Sequence, residues 1–342
     1  MDYPATQDTS AGCDSVDYLS TQDTPARGDS LDYPATRNTP VRGDSWDYRA
    51  IRVEKGRLPD FIAAAKADFM RGFNITIPHK QDIIPYLDEI DENARLCGAV
   101  NTVVIREGKL NGYNTDMDGL LMALREEGFE YTGSRITLLG TGGAAAGILL
   151  KATMEGAAKV QILGRRQAMA EKLKNRVLQT MAAAEKPDTA IESMTAIERP
   201  TTTAAIESMT AVERPATAIE TIAAEKPVTV IEALEMTQEN LTKAVSEADI
   251  LINATPLGMK GASAFPDTDF LEAMPKGALV CDLVYNPPQT GLLKRAEALR
   301  LKGINGLAML IHQALLADEL FLDRKIDKRH MFDMLKSKLM NL

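Results

Sequence analysis

The chain has 342 residues, of which 45% are hydrophobic and 25% are charged, and its formal net charge is −9. This length suits two ordinary domains, and this composition is typical of a soluble globular protein. The acidic balance argues against nucleic-acid binding, which requires a basic surface, and the one basic cluster, residues 324–329, is interrupted by an aspartate.

The cysteines and the hydropathy of the chain argue against further classes of protein. Cys13, Cys97 and Cys281 lie far apart and form no CxxC motif, so neither a metal site nor a disulfide framework is predicted. The first residues lack the pattern of a signal peptide, and the most apolar stretch, residues 136–150, is too short to span a membrane. We expect a cytoplasmic protein without nucleic-acid or membrane partners, either a monomer or a homodimer.

The N-terminal segment is repetitive. Few large apolar residues separate its recurring Asp-Tyr pairs, which begin at Asp2, Asp17, Asp32 and Asp47. So little apolar surface cannot offset the entropy that ordering costs, and residues 1–45 are therefore predicted to be disordered.

In the next block, residues 46–116, strand and helix patterns alternate and predict a small α/β domain. Asp116, which ends this block, is predicted to cap the helix that follows it. The predicted elements are a strand at 48–53, a helix at 58–69, a strand at 72–76, a helix opening at Pro78, a hairpin at 103–113 turning at Glu107-Gly108, and a helix at 117–127.

A second block, residues 117–305, has the alternation of a Rossmann-like, doubly wound fold with a parallel sheet. Its predicted strands are 135–139, 159–163, 249–253, 278–283 and one near Ile304. Two amphipathic helices, 308–321 and 328–339, end the chain. The fold class is thus α/β with two domains.

A repetitive insertion is predicted within this second block, at about residues 184–235. Related units begin at Ile191, Ile206, Ile219 and Ile231, and proline ends most of them. Because proline stops a helix and the units hold few apolar residues, we expect a surface arm rather than a part of the core.

A glycine loop, Gly140-Thr141-Gly142-Gly143, separates an apolar strand from a helix that begins near Ala144. This context is typical of dinucleotide binding, because glycines admit the pyrophosphate and amides at the helix N-terminus bind its charge. A purely structural glycine turn is the alternative.

The end of the following strand distinguishes NAD from NADP. An NAD site places an acid there, whereas this chain has Gly164-Arg165-Arg166. Guanidinium groups suit a 2′-phosphate, so NADP is predicted, although two exposed surface arginines would have the same sequence.

Several motifs offer side chains for chemistry on a small polar molecule. They are Asn74-Ile75-Thr76-Ile77-Pro78-His79-Lys80, Gly98-Ala99-Val100-Asn101-Thr102, Asn114-Thr115-Asp116, Asn253-Ala254-Thr255-Pro256-Leu257-Gly258-Met259 and residues 306–313. With the glycine loop, these motifs resemble the shikimate dehydrogenase family over about residues 48–181 and 241–342.

The resemblance implies an NADP-dependent enzyme that reversibly reduces 3-dehydroshikimate to shikimate, on the route to chorismate and the aromatic amino acids. It also implies that residues 46–116, completed by 306–342, form the substrate domain, and that residues 117–305 form the NADP-binding domain. Ketone reduction needs a hydride donor and a proton donor at the developing alkoxide, and a lysine can donate that proton.

By the same resemblance, Lys80 and Asp116 are the expected catalytic pair. The expected substrate-binding residues are Thr76, Asn101, Tyr285 and Gln313. The expected cofactor-binding residues are Gly140, Thr141, Gly142, Gly143, Ala144, Arg165, Arg166, Thr255, Met259 and Gly306. His79 and His312 flank these motifs, and neither is assigned a role.

The chain departs from the family in two places. No serine-x-serine loop for the substrate carboxylate precedes residue 48, and Gly164-Arg165-Arg166 stands where the family often has Asn-Arg-Thr. Two alternatives therefore stay open: a quinate/shikimate dehydrogenase that uses NAD or NADP, and a degenerate nucleotide-binding protein without full activity.

Overall fold

The structure is a computed structural model that describes residues 48–67, 70–76, 78–184 and 228–340. The chain divides into two compact units, residues 1–61 and 62–342, each described by itself. The segment predicted to be disordered, residues 1–45, lies outside the described residues, as does most of the predicted insertion.

In the first unit, residues 48–53 lie in neither a helix nor a strand, so the predicted strand is wrong. Tyr48 and Ile51 are exposed, and the alternating pattern therefore has no buried apolar face of the kind that predicts a strand. Helix α1 (Leu58–Ala67) begins in this unit, as its apolar spacing predicts.

The second unit contains a mixed four-stranded sheet, in the order β1-β3-β4-β2. Its β3–β4 hairpin turns at Glu107 and Gly108, both with positive φ, which confirms the predicted turn. The strands are β1 (Gly72–Asn74), β2 (Glu89–Ile90), β3 (Thr102–Arg106) and β4 (Lys109–Tyr113).

The helix predicted to open at Pro78 does not form. Residues 78–83 are turns, and a short 3-10 helix, Ile84–Tyr86, follows them. Pro85 lacks the N–H that would continue a helical ladder, which explains the difference. Lys80 therefore lies in a turn, where its carbonyl accepts a hydrogen bond from the Val100 N–H at 2.8 Å.

The larger sheet has six parallel strands in the order β10-β9-β8-β5-β6-β7, and this confirms the predicted doubly wound fold. Its central neighbours β5 and β8 bring the glycine loop beside the Asn253 motif. The strands are β5 (Arg135–Leu139), β6 (Lys159–Gly164), β7 (Val230–Glu235), β8 (Ile250–Asn253), β9 (Leu279–Asp282) and β10 (Lys302–Asn305).

Strand β7 corrects the predicted end of the insertion. The sequence predicts that end at about residue 235, whereas Val230–Glu235 pairs with β6 along its whole length. Ile231 and Ala233 are buried in the core and alternate with less buried neighbours, so this last repeat unit is part of the sheet.

Helices cover both faces of the six-stranded sheet. One apolar core lies between the sheet and α3, α4 and α5, and the other lies between the sheet and α6, α7 and a 3-10 helix, Asp269–Ala273. The helices are α2 (Glu92–Cys97), α3 (Asp116–Glu126), α4 (Gly143–Met154), α5 (Gln167–Ala184), α6 (Gln238–Ser246), α7 (Gly291–Ala298), α8 (Gly306–Leu322) and α9 (Lys328–Met340).

Two further kinds of feature are absent from the described ranges. None of the helices there is both long and apolar enough to cross a membrane. In those same ranges, no group of three or more His, Cys, Asp and Glu side chains is arranged to hold a metal ion.

The turn between α8 and α9 is organised by Glu319. Its carboxylate accepts hydrogen bonds from Lys328 at 2.7 Å, Lys325 at 3.1 Å and the Ile326 N–H at 3.2 Å. Burial alone raises the pKa of Glu319, but these donors outweigh it and hold the pKa below its usual value.

We predict that Glu319→Gln lowers the free energy of unfolding by about 1–3 kcal/mol at neutral pH, because each hydrogen bond to a charged group contributes roughly that much. Because the folded-state pKa is the lower one, this stabilisation is full above the ordinary glutamate pKa and is lost as the pH falls through the depressed value. Urea unfolding of both proteins at several pH values should show the gap closing on acidification.

The matched control for this change is Glu54→Gln. Glu54 pairs with Arg52 at 2.9 Å, but both side chains are largely exposed, so its loss should change stability little. Equal effects of the two substitutions would contradict the account of Glu319.

Candidate active site

A lysine–aspartate pair lies at the start of α3. Lys80 Nζ donates to Asp116 Oδ2 at 2.6 Å, and both side chains are partly buried, with 27% and 18% exposed. Asp116 is the first residue of the helix rather than its cap, which corrects the prediction. Thr115 occupies the cap position, and the Asp116 carboxylate therefore remains available to Lys80.

The second oxygen of Asp116 is held by a buried amide. Asn101, only 2% exposed, donates from Nδ2 to Asp116 Oδ1 at 2.9 Å and lies 3.2 Å from Gln313 Oε1. Gln313 Nε2 in turn donates to the Leu310 carbonyl at 3.0 Å. The structure thus brings together four of the predicted residues, one from each of four separate motifs.

Helix α8 reaches this group because α3 has a glycine at the crossing. A Cβ on Gly119 would lie 2.8 Å from the backbone N of Gln313 and 2.9 Å from its Cβ, closer than real Cβ atoms come. Glycine at this position is therefore needed for the approach of the two helices, and the approach places Gln313 beside Asn101.

The glycines of the loop differ in the space around them. Gly140 has φ +115, and a Cβ there would meet the Ala254 carbonyl at 2.9 Å, so the fold itself requires this glycine. Gly142 has φ −84, which any residue adopts, and a Cβ on Gly142 or Gly143 would meet nothing within 4 Å. Neither backbone strain nor packing therefore explains these two glycines.

The predicted arginine pair lies next to this loop. Arg165 and Arg166 follow β6 and are exposed. A Cβ on Gly164 would lie 2.8 Å from Thr141 Cγ2, so the glycine lets the loop and the strand end come together. This packing gives a physical reason for Gly164 where the family often has asparagine.

Other predicted cofactor residues lie along the carboxyl edge of the sheet. Thr255 donates to Asn253 Oδ1 at 2.6 Å, while Met259 is 46% exposed. Gly306 is buried, and a Cβ on it would overlap the Leu283 carbonyl. Tyr285, predicted to bind substrate, is 56% exposed at this same edge.

A buried aspartate ties these loops together, and sequence reasoning missed it. Asp282 is fully buried and accepts from Asn253 at 2.8 Å, from Thr290 Oγ1 at 2.6 Å and from the Val284 N–H at 3.1 Å. Burial raises the pKa of Asp282, although these donors oppose the shift. Its position at the end of an apolar strand, three residues before Tyr285, was the available signal.

Thr76 and the two flanking histidines stand apart from the central group. Thr76 is exposed, and its carbonyl accepts from the His79 N–H at 3.0 Å. His312 is buried and stacks on Phe332 with ring centroids 4.4 Å apart. Burial lowers the pKa of His312 against the opposing effect of Glu126. A neutral packing histidine is consistent with assigning it no role.

Helix α8 links the two groups of residues. It begins at Gly306, on the carboxyl edge of the six-stranded sheet, and reaches Gln313 after about two turns, roughly 10 Å along its axis. On the other side, a Cβ on Gly147 of α4 would overlap the Met117 sulfur of α3. Close helix packing therefore sets the distance between the glycine loop and the Lys80–Asp116 pair.

Comparison with known proteins identifies the same family that the sequence motifs resemble. The family model described as shikimate dehydrogenase substrate binding domain matches residues 37–103. The shikimate dehydrogenase (NADP(+)) of Alkaliphilus oremlandii is 35% identical over 260 residues, which cover 76% of this chain and 75% of that protein.

Solved structures are also similar to this chain. A shikimate dehydrogenase in complex with NADP+ has a TM-score of 0.59 and 31% identity, covering 84% of both chains. A quinate dehydrogenase from Corynebacterium glutamicum in complex with NAD has a TM-score of 0.62 and 26% identity, covering 85% of this chain and 86% of that one.

We predict that Gly119→Ala separates α3 from α8, because the new methyl group meets the Gln313 backbone. The expected result is a lower Tm, measured by thermal unfolding, together with weaker binding of shikimate as a probe, measured by calorimetry, because Gln313 would be displaced from Asn101.

Gly291→Ala is the control for that variant, since a Cβ at Gly291 meets nothing within 4 Å and alanine favours a helix. It should leave both quantities unchanged or raise the Tm. A Gly119→Ala protein with wild-type binding would show that the crossing tolerates a methyl group.

Proposed function

Because this chain belongs to the shikimate dehydrogenase family, we propose that it is an NADP-dependent oxidoreductase that interconverts 3-dehydroshikimate and shikimate. The observation that carries the proposal is the contact of Lys80 Nζ with Asp116 at 2.6 Å, beside Asn101 and Gln313. A fold alone does not define an activity, but this group of side chains has the chemistry that ketone reduction requires.

In the proposed reaction, Lys80 donates a proton to the oxygen of the substrate ketone as negative charge develops there. Its own positive charge stabilises that oxygen. In the reverse direction the same nitrogen accepts the hydroxyl proton. Asp116 Oδ2 keeps Lys80 in place, and Asp116 Oδ1 is held by Asn101, so the pair needs little rearrangement.

NADPH, when bound, supplies the hydride. The residues that would hold it are those of the glycine loop, with Arg165 and Arg166 for the 2′-phosphate and with Thr255, Met259 and Gly306 toward the nicotinamide end. The open space at Gly142 and Gly143 supports this assignment, because the protein itself does not require glycine there.

The polar groups near Lys80 would bind the substrate hydroxyls. Asn101 and Gln313 offer amide donors and acceptors at the pair, while Thr76 and Tyr285 are exposed and accessible to a ligand. Quinate is the second substrate to examine, because a quinate dehydrogenase is among the similar structures.

We also place the enzyme in the cytoplasm, where the free thiols Cys97 and Cys281 would stay reduced. It would act there as a monomer or homodimer, which size-exclusion chromatography with light scattering distinguishes.

The function is tested by NADP reduction with shikimate and quinate, measured side by side. We predict that the wild-type chain turns over shikimate and that Lys80→Ala lowers kcat by about 10²–10⁴-fold, the usual contribution of a proton donor. The NADP Kd, followed by fluorescence titration, should stay near the wild-type value because Lys80 belongs to the substrate group.

Lys109→Ala is the matched control, since Lys109 is exposed and pairs only loosely with Glu89, at 3.7 Å. It should have wild-type kcat. Turnover of neither substrate by the wild-type chain would refute the proposed function, whereas full activity of Lys80→Ala would assign proton transfer to another group.

A second test concerns the cofactor. We predict that NADP binds more tightly than NAD and that Arg165→Asp reduces this preference roughly 10- to 100-fold, because it removes a charge-assisted hydrogen bond and adds a repulsive charge. Dissociation constants of both cofactors should be measured with Arg324→Asp, an exposed arginine distant in sequence, as the control. Equal affinities in the wild type would contradict the assignment of the arginine pair.

A further inference from the structure

Thr102 follows Asn101 at the start of β3 and is fully buried. Its hydroxyl donates to Asn101 Oδ1 at 3.0 Å and accepts from Asn74 Nδ2 at 3.1 Å. The single hydroxyl hydrogen points to Asn101 Oδ1, while one of the two lone pairs of the oxygen accepts from Asn74. A buried hydroxyl with partners on both sides has little freedom to reorient.

The two ends of the Asn101 amide are nearly the same shape, so its hydrogen-bond partners decide which way it faces. Oδ1 accepts from Thr102 and from the Thr115 N–H at 2.9 Å. Nδ2 consequently faces Asp116 Oδ1 at 2.9 Å and Gln313 Oε1 at 3.2 Å. A flipped amide would place an oxygen against the Asp116 carboxylate.

The Thr115 hydroxyl does not discriminate between these two orientations. It lies 2.9 Å from Asn101 Nδ2 and 3.3 Å from Oδ1, and a hydroxyl can both donate and accept. The Thr115 N–H can only donate, so it selects the orientation, and the Thr102 hydroxyl supplies the second hydrogen bond that holds Oδ1 in it.

We propose that Thr102 is a positioning residue of the reaction, which locks the Asn101 amide so that its NH₂ group holds Asp116 and Gln313 for the substrate. The inference rests on the proposed function for the identity of that substrate. Thr102 itself is buried and acts only through Asn101. Its hydroxyl, rather than its size, is the group that matters.

The test uses substitutions that separate the hydroxyl from the shape of the side chain. Thr102→Val keeps the shape and removes the hydroxyl, whereas Thr102→Ser keeps the hydroxyl. Thr137→Val is the matched control, because Thr137 is also fully buried, on β5, and its hydroxyl has no hydrogen-bond partner within the described ranges.

We expect Thr102→Val to lower kcat/KM for shikimate roughly 10- to 100-fold, since a buried acceptor loses its donor. The NADP Kd should be unchanged, and Thr102→Ser should restore most of the activity. Thr137→Val should behave as wild type. Wild-type kcat/KM in Thr102→Val would overturn the inference, and so would equal losses in the valine and serine variants.

A merely structural role would instead lower the Tm, the NADP affinity and kcat/KM together, and that result also overturns the proposal. If the valine variant does not fold, Thr102→Cys and Thr102→Ser form a second pair that differs in one atom. Only the serine variant should then keep its activity.

An NMR measurement separates this inference from the proposed function. The side-chain NH₂ signals of Asn101, assigned with Asn101→Ala, should move in Thr102→Val and not in Thr137→Val. If the wild-type chain turns over no shikimate, the proposed function fails. These signals would still show whether the Thr102 hydroxyl holds the Asn101 amide. Unchanged chemical shifts of the Asn101 NH₂ group in Thr102→Val would overturn the inference, whatever the activity.

Discussion

The close crossing of α3 and α8 at Gly119 is the constraint on which the site depends. Asp116 starts one helix and Gln313 lies on the other, and only a residue without Cβ lets their backbones come within contact distance. Packed interiors transmit such shape changes because they contain few voids. A single methyl group at the crossing therefore acts on side chains that it does not touch.

Two buried polar networks hold the elements of the candidate site together. Asn101 joins the elements of the small sheet to α3 and α8, and Asp282 joins the ends of β8 and β9 to the N-terminus of α7. Nearly all hydrogen-bonding capacity of the Asn101 and Asp282 side chains is used by neighbouring groups. Such a network gives one defined arrangement, because any alternative leaves a buried polar atom without a partner.

Several errors of sequence reasoning share one physical cause, since local patterns do not report tertiary partners. The alternation at residues 48–53 predicts a strand, but Tyr48 and Ile51 are exposed. Asp116 matches a helix cap by position, yet Lys80 and Asn101 bind its carboxylate. The unit at Ile231 resembles its repetitive neighbours, and only pairing with β6 distinguishes it.

The sequence by itself determined the α/β class and the alternation of strands and helices that implies a parallel sheet. It also determined the glycine loop and the four motifs of the candidate site. All of these depend on local spacing and residue type. Tertiary structure alone decided that Gly119 is the crossing point, that Asn101 contacts Gln313 and that Asp282 ties two loops. These contacts join residues far apart in the chain, for example Asn101 and Gln313. Their formation depends on packing distances that no local pattern encodes.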